Sequence, residues 1–150
     1  MRVLVYAEGS PSLEQLAQKL CEGIAKTGAS FTRQWPCECD AAFFGTEFTE
    51  SQQQNILKIS SALKGKNGAV FCIRTNERKK LEELVACLNK AGMRVTETLS
   101  IKQSKGFFGA KPFSEADLAR ASAFGEKTLN RWQGKRVMQP SEKTRIKGYA

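Results

Sequence analysis

The chain has 150 residues, enough for one domain with a sizeable core, since chains of this size bury roughly 68–70% of their unfolded surface. It contains no histidine, which removes the usual general base and the commonest metal ligand and argues against hydrolytic triads. The net charge of +9 is uneven: residues 1–100 carry thirteen basic against eleven acidic side chains, and residues 101–150 carry eleven against four. No apolar run approaches the ~20 residues of a membrane-spanning helix. The opening MRVLVYAEG has the pattern of a buried strand rather than a signal peptide, so a soluble, cytoplasmic protein with no membrane contact is expected.

Arg2 to Ala7 is a continuous apolar run, the pattern of a strand covered on both faces in a parallel sheet. Leu13, Leu16, Ala17, Leu20, Cys21 and Ile24 then recur at helical spacing up to Gly28. Either Ser10, with Pro11 at the first helical position, or Ser12, in a capping box with Gln15, starts that helix. Ala29 to Gln34 reads as a short strand, and Ala41 to Gly45 as a second buried one, with no room for a helix between them. Thr46 to Thr49 reads as a loop. Ile56, Ile59, Ala62 and Leu63 form a weak amphipathic stripe, and Gly68 to Ile73 is another strand.

Leu81, Leu84, Val85 and Leu88 give the clearest helical stripe, stopped by Gly92. Met93 to Ile101 alternates like an edge strand, with Met93, Val95 and Leu99 as its apolar members. Ser114-Glu115-Ala116-Asp117 resembles a capping box ahead of a last helix lined by Leu118, Ala121, Phe124, Gly125 and Trp132. Alternation of strand and helix predicts a parallel sheet between helices with right-handed crossovers. The domain is drawn at 1–136, leaving 137–150 as a basic C-terminal tail without periodicity.

Five cysteines are expected as reduced thiols, with Cys21, Cys72 and Cys87 on buried faces. Cys37 and Cys39 sit in a short loop. They read as small apolar residues, as a redox dithiol or as half of a metal site, but no metal site is expected because a tetrahedral set cannot be completed.

Ligands of such sheets bind at the carboxyl ends of the strands, beside the switch point, among the loops Glu8–Leu13, Thr46–Glu50, Arg74–Asn76 and Ser104–Pro112. Val3-Leu4-Val5-Tyr6 with 17–24, Asp40-Ala41-Ala42-Phe43-Phe44-Gly45, and Ser104-Lys105-Gly106 with Lys111-Pro112 and 115–121 resemble the flavodoxin family over about residues 1–132. The resemblance implies a flavodoxin-like α/β fold, a doubly wound five-stranded parallel sheet in order 2-1-3-4-5, with the second crossover helix missing or very short. It also implies FMN as cofactor, with Gly9, Ser10 and Ser12 at its phosphate, and Thr46, Phe48, Arg74 and Thr75 around the rest.

The family's Ser/Thr-x-Thr-Gly-x-Thr loop falls here on Glu8-Gly9-Ser10-Pro11-Ser12-Leu13, where only Ser10 keeps a hydroxyl in its place. Glu8 brings a carboxylate to meet the phosphate, Pro11 lacks an N–H, and Leu13 removes the last hydroxyl. Glu47 stands where the family has proline. Arg74 can be a solvated loop arginine or reach an anion or Glu8 across the cleft, and Phe107-Phe108 can be loop core or a platform for a flavin or partner.

Two functions follow. One is a small FMN-type electron-transfer module whose FMN binding is weak or lost; the other is a cofactor-free flavodoxin-like scaffold that binds a protein partner. Both point away from a stand-alone enzyme. The positive charge favours a partner with an acidic face, while the lack of a nucleic-acid-reading motif disfavours nucleic acid.

Overall fold

The computed structural model describes residues 1–74, 78–103, 105–106, 109–110 and 113–134, with backbone only at 74, 78, 105–106 and 109–110. The strands are β1 (Arg2–Tyr6), β2 (Ser30–Thr32), β3 (Ala41–Thr46), β4 (Asn67–Arg74) and β5 (Arg94–Lys102). They form one five-stranded sheet in the order β2-β1-β3-β4-β5, and every pairing is parallel. The helices are α1 (Pro11–Ala25), α2 (Glu50–Ser61), α3 (Arg78–Lys90) and α4 (Glu115–Trp132). No helix joins β2 to β3, as expected. The tail at 137–150 and the Phe107-Phe108 pair lie outside the described residues.

Alternate side chains of the central strands feed two apolar layers. Val3, Val5, Phe43 and Phe71 pack under α1 and α4, while Leu4, Phe44 and Val70 pack under α2 and α3 with Ile56, Leu84 and Leu88. Both faces of β1 and β3 are therefore dry, which explains their unbroken apolar runs. Phe43 anchors α4, with ring centroids 5.0 Å from Trp132 and 5.9 Å from Phe124. The two helices on that side meet backbone to backbone. A Cβ at Gly125 would lie 2.5 Å from the Leu20 carbonyl oxygen, and one at Gly23 would collide with the Ser122 carbonyl.

Several expectations shift in detail. Ser10 is the N-cap of α1 and Pro11 its first residue, which settles the choice against Ser12. Ala62 is the exposed C-cap of α2 rather than part of its buried stripe. The register of β4 and β5 slips between Gly68 and Ala69, so Thr96 has no partner. That irregularity turns β5 over: Val95 packs in the α2/α3 layer and Leu99 and Ile101 in the α1/α4 layer, although simple alternation puts them on one face. Cys21 and Cys72 are buried as expected, but Cys87 is exposed on α3 and Cys39 is the third buried thiol. A small hairpin, β6 (Lys105–Gly106) with β7 (Gly109–Ala110), follows β5. Among the described residues no helix is long and apolar enough to cross a membrane.

Candidate functional site

The chain reverses its direction of winding between β1 and β3, so the loops leaving these strands flank the crevice of the fold. The first loop ends at the N-terminus of α1. There the Ser10 side chain accepts a hydrogen bond from the Leu13 amide at 3.3 Å, capping the helix in the usual way. The second loop delivers Glu47 to the same point. Its carboxylate oxygen Oε1 accepts from the Ser10 amide at 2.9 Å and from the Ser10 hydroxyl at 2.6 Å. A negative charge at a helix N-terminus meets unpaired N–H groups and the positive end of the helix dipole. Here the chain supplies that charge from its own second loop.

Gln52, buried in the first turn of α2, joins the loops. Its Oε1 accepts from the Glu47 amide at 2.8 Å, the Thr49 amide at 3.3 Å and the Thr46 hydroxyl at 3.3 Å, and its Nε2 donates to the Glu8 carbonyl at 2.7 Å. Gly9 is what lets the loops touch: a Cβ there would stand 2.5 Å from Gln52 Nε2 and 2.8 Å from Glu47 Oε1. Thr46 is fully buried, and its hydroxyl accepts from the Phe48 amide at 2.8 Å. That turn holds Phe48 at φ 65°, a left-handed conformation rare for a bulky residue. The Phe48 ring packs on the α2/α3 layer.

The structure thus gathers Gly9, Ser10, Thr46 and Phe48 into two touching loops. Ser12 takes a different part: its hydroxyl accepts from Gln103 Nε2 at 2.9 Å, tying α1 to the chain just beyond β5. Arg74 closes β4, and Thr75 lies outside the described residues. Glu8, expected to meet a phosphate, is exposed, and its carboxylate acts on the Tyr6 hydroxyl. Burial first, and Glu8 second, raise the Tyr6 hydroxyl above its ordinary pKa. The acid on the Ser10 donors is Glu47.

A second tie reaches α1 from the sheet edge. The Arg33 guanidinium donates to both carboxylate oxygens of Glu14, at 2.8 and 2.7 Å, while its Nε donates to the Val5 carbonyl at 2.9 Å. The hydrogen bonds from Arg33 hold the Glu14 carboxyl below the usual carboxylate range.

Sequence reasoning missed the positions of Glu47 and Gln52. The second was recoverable, since Thr49-x-x-Gln52 is a capping box. The first was not, because nothing local links Glu47 to Ser10.

The residues present do not fit the phosphate of FMN. Both donors of Ser10 are spent on Glu47, the Leu13 amide is held by the Ser10 side chain, and Pro11 has no N–H to give. A phosphate would have to displace a carboxylate of its own sign.

No family model and no curated protein matches the chain. Solved structures do. A two-electron reduced Megasphaera elsdenii flavodoxin matches at 15% identity and a TM-score of 0.60, covering 85% of this chain and 99% of that one. A flavodoxin from the domain Archaea matches at 14% identity and 0.64, covering 88% and 98%. A short-chain flavodoxin associated with a non-canonical PDU bacterial microcompartment matches at 17% and 0.60, covering 87% and 97%. The chain has the flavodoxin-like fold, resembling flavodoxins along nearly their whole length.

Proposed function

We propose that this chain is a flavodoxin-fold binding module that works without resident FMN and docks on a protein partner bearing an acidic face. The seating of Glu47 on the Ser10 amide and hydroxyl carries this reading, because it fills the point where the fold would hold a phosphate. The charge of +9 supports an acidic partner. A weak, exchangeable use of FMN in electron transfer is the second reading. It is favoured by Phe48, an aromatic side chain on the second loop whose left-handed backbone is of the kind that clusters at functional sites.

Displacing Glu47 forfeits charge-assisted hydrogen bonds of about 1.5–3 kcal/mol each. Repulsion at roughly 5 Å and an effective dielectric near 20 adds about 3 kcal/mol before screening. The affinity for FMN is therefore expected on the order of 10⁻⁶ M or weaker. Calorimetric titration of the purified protein with FMN tests this. Nanomolar binding, or flavin that persists through purification, would overturn it.

A further inference from the structure

At the opposite end of the sheet from Ser10, the segment between β2 and β3 approaches β3 with alternating exposure. Trp35, Cys37, Cys39 and Ala41 turn inward, and Pro36, Glu38 and Asp40 turn out to solvent. Cys37 and Cys39 therefore share one face, and both pack on the α2/α3 layer. The thiols are near enough that Cys37 acts on the protonation of Cys39. They line one shallow cleft with Arg2, Trp35, Leu63 and Lys66, open to solvent beside the starts of β1, β3 and β4. The two thiols differ in access: Cys39 is buried and Cys37 half-buried.

We propose that Cys37 and Cys39 form a reversible dithiol–disulfide couple, with Cys37 as the attacking thiol and Cys39 as the resolving one, exchanging with low-molecular-weight disulfides of the glutathione type. Two residues of extended chain span about 6.4–6.8 Å between Cα atoms. That is close to the upper limit, about 6.8 Å, at which a disulfide bridges. Side chains two apart on an extended chain run parallel, so reaching the roughly 3.5–4.5 Å between the Cβ atoms of a disulfide takes a bend of the backbone at Glu38, and the strained bond is readily reduced, the property of a labile rather than a structural disulfide. The Cys39 thiol is pushed up to about 11, by burial first and by Cys37 next. It therefore stays protonated until a mixed disulfide is presented beside it, leaving the first attack to the more accessible sulfur.

The exchange balances. The Cys37 thiolate attacks one sulfur of the small disulfide, breaks its S–S bond and releases one small thiolate, which takes up a proton. Cys39 gives its proton to solvent, attacks the Cys37 sulfur and expels the second small thiol. The protein loses two electrons and two protons, and the small disulfide leaves as two thiols.

Trypsin releases residues 34–58 as one peptide containing both cysteines, and residues 81–90 as another containing Cys87. The test incubates the reduced, folded protein with oxidised glutathione, blocks remaining thiols and maps both peptides by mass. The expected result is a 34–58 peptide lighter by two hydrogens and free of glutathione, restored by dithiothreitol, while exposed Cys87 keeps its adduct. In Cys39→Ser the exchange should stop at glutathione on Cys37, and Cys37→Ser should leave 34–58 unmodified. A wild-type 34–58 peptide that retains glutathione, or stays reduced while Cys87 reacts, overturns the couple. An adduct on Cys39 in Cys37→Ser overturns the assignment of roles.

Discussion

The N-termini of α1 and α2 face the same crevice, yet they are capped over different ranges. Helix α2 caps itself: Thr49 accepts from the Gln52 amide at 3.3 Å, and the Gln52 side chain returns to the Thr49 amide. Helix α1 has its own Ser10, but the charge at its end comes from Glu47 and its first turn is held by Arg33. A helix start can be satisfied from three residues away or from another loop. Only the second arrangement makes the helix end depend on tertiary structure, and only there does it compete with a ligand.

Removing Gln52 should break both ends at once. Gln52→Ala leaves the Glu8 carbonyl and the Glu47 amide without partners and deletes the return half of the α2 box. Unpaired buried groups cost about 1–3 kcal/mol each, so a loss of about 2–4 kcal/mol is expected in urea unfolding. A loss below that of a simple cap removal would mean that water replaces the carboxamide without cost.

Glu47→Gln separates charge from shape. The amide oxygen still accepts from Ser10, but the charge is gone, and a charge-assisted bond gives way to a neutral one at a cost of about 1–2 kcal/mol. FMN affinity should rise at least about tenfold, the equivalent of roughly 1.4 kcal/mol, as read by fluorescence titration. Unchanged affinity would show that the carboxylate does not guard the α1 terminus.

At α2 the effect is local. Thr49→Ala should cost about 1 kcal/mol, the ordinary value of an N-cap, with no change in FMN affinity. A change in affinity would couple the two helix ends more tightly than Gln52 alone explains.

The smallest effect is the acid limb of stability. The folded-state pKa of Glu14 lies below the ordinary 4.5 because of Arg33. Its contribution is therefore complete above the unfolded value and is lost as pH falls through the folded one. Glu14→Gln should lower stability at pH 7 by under about 1 kcal/mol, as befits a partly exposed pair, and flatten its fall below pH about 4.5. Parallel denaturation curves at pH 7 and pH 3 measure the difference.

Legibility divides along the same line between local and distant contacts. The buried runs at β1 and β3, the Leu81–Leu88 stripe and the Ser114 cap are local patterns, and each is found in place. The resemblance carried the strand order, since no local pattern orders strands. The first loop was placed well and its chemistry assigned to the wrong acid: Glu8 is adjacent in sequence, but Glu47 is adjacent in space. The reversal of β5 was hidden for a related reason, since an irregular register with β4 is a property of two strands together.

The Arg33 contact with Val5 also bears on how copies of the protein behave in crowded solution. Strand β2 has only three residues, and its pairing with β1 ends at Leu4 and Thr32. Beyond that point the Val5 carbonyl would be an open acceptor on the rim of the sheet, a template on which another chain could add a strand. The Arg33 side chain takes that acceptor while its guanidinium is paired with Glu14. A second copy approaching there meets a filled acceptor, so a foreign strand cannot add to β1 at Val5 past the end of β2 without first displacing a single side chain.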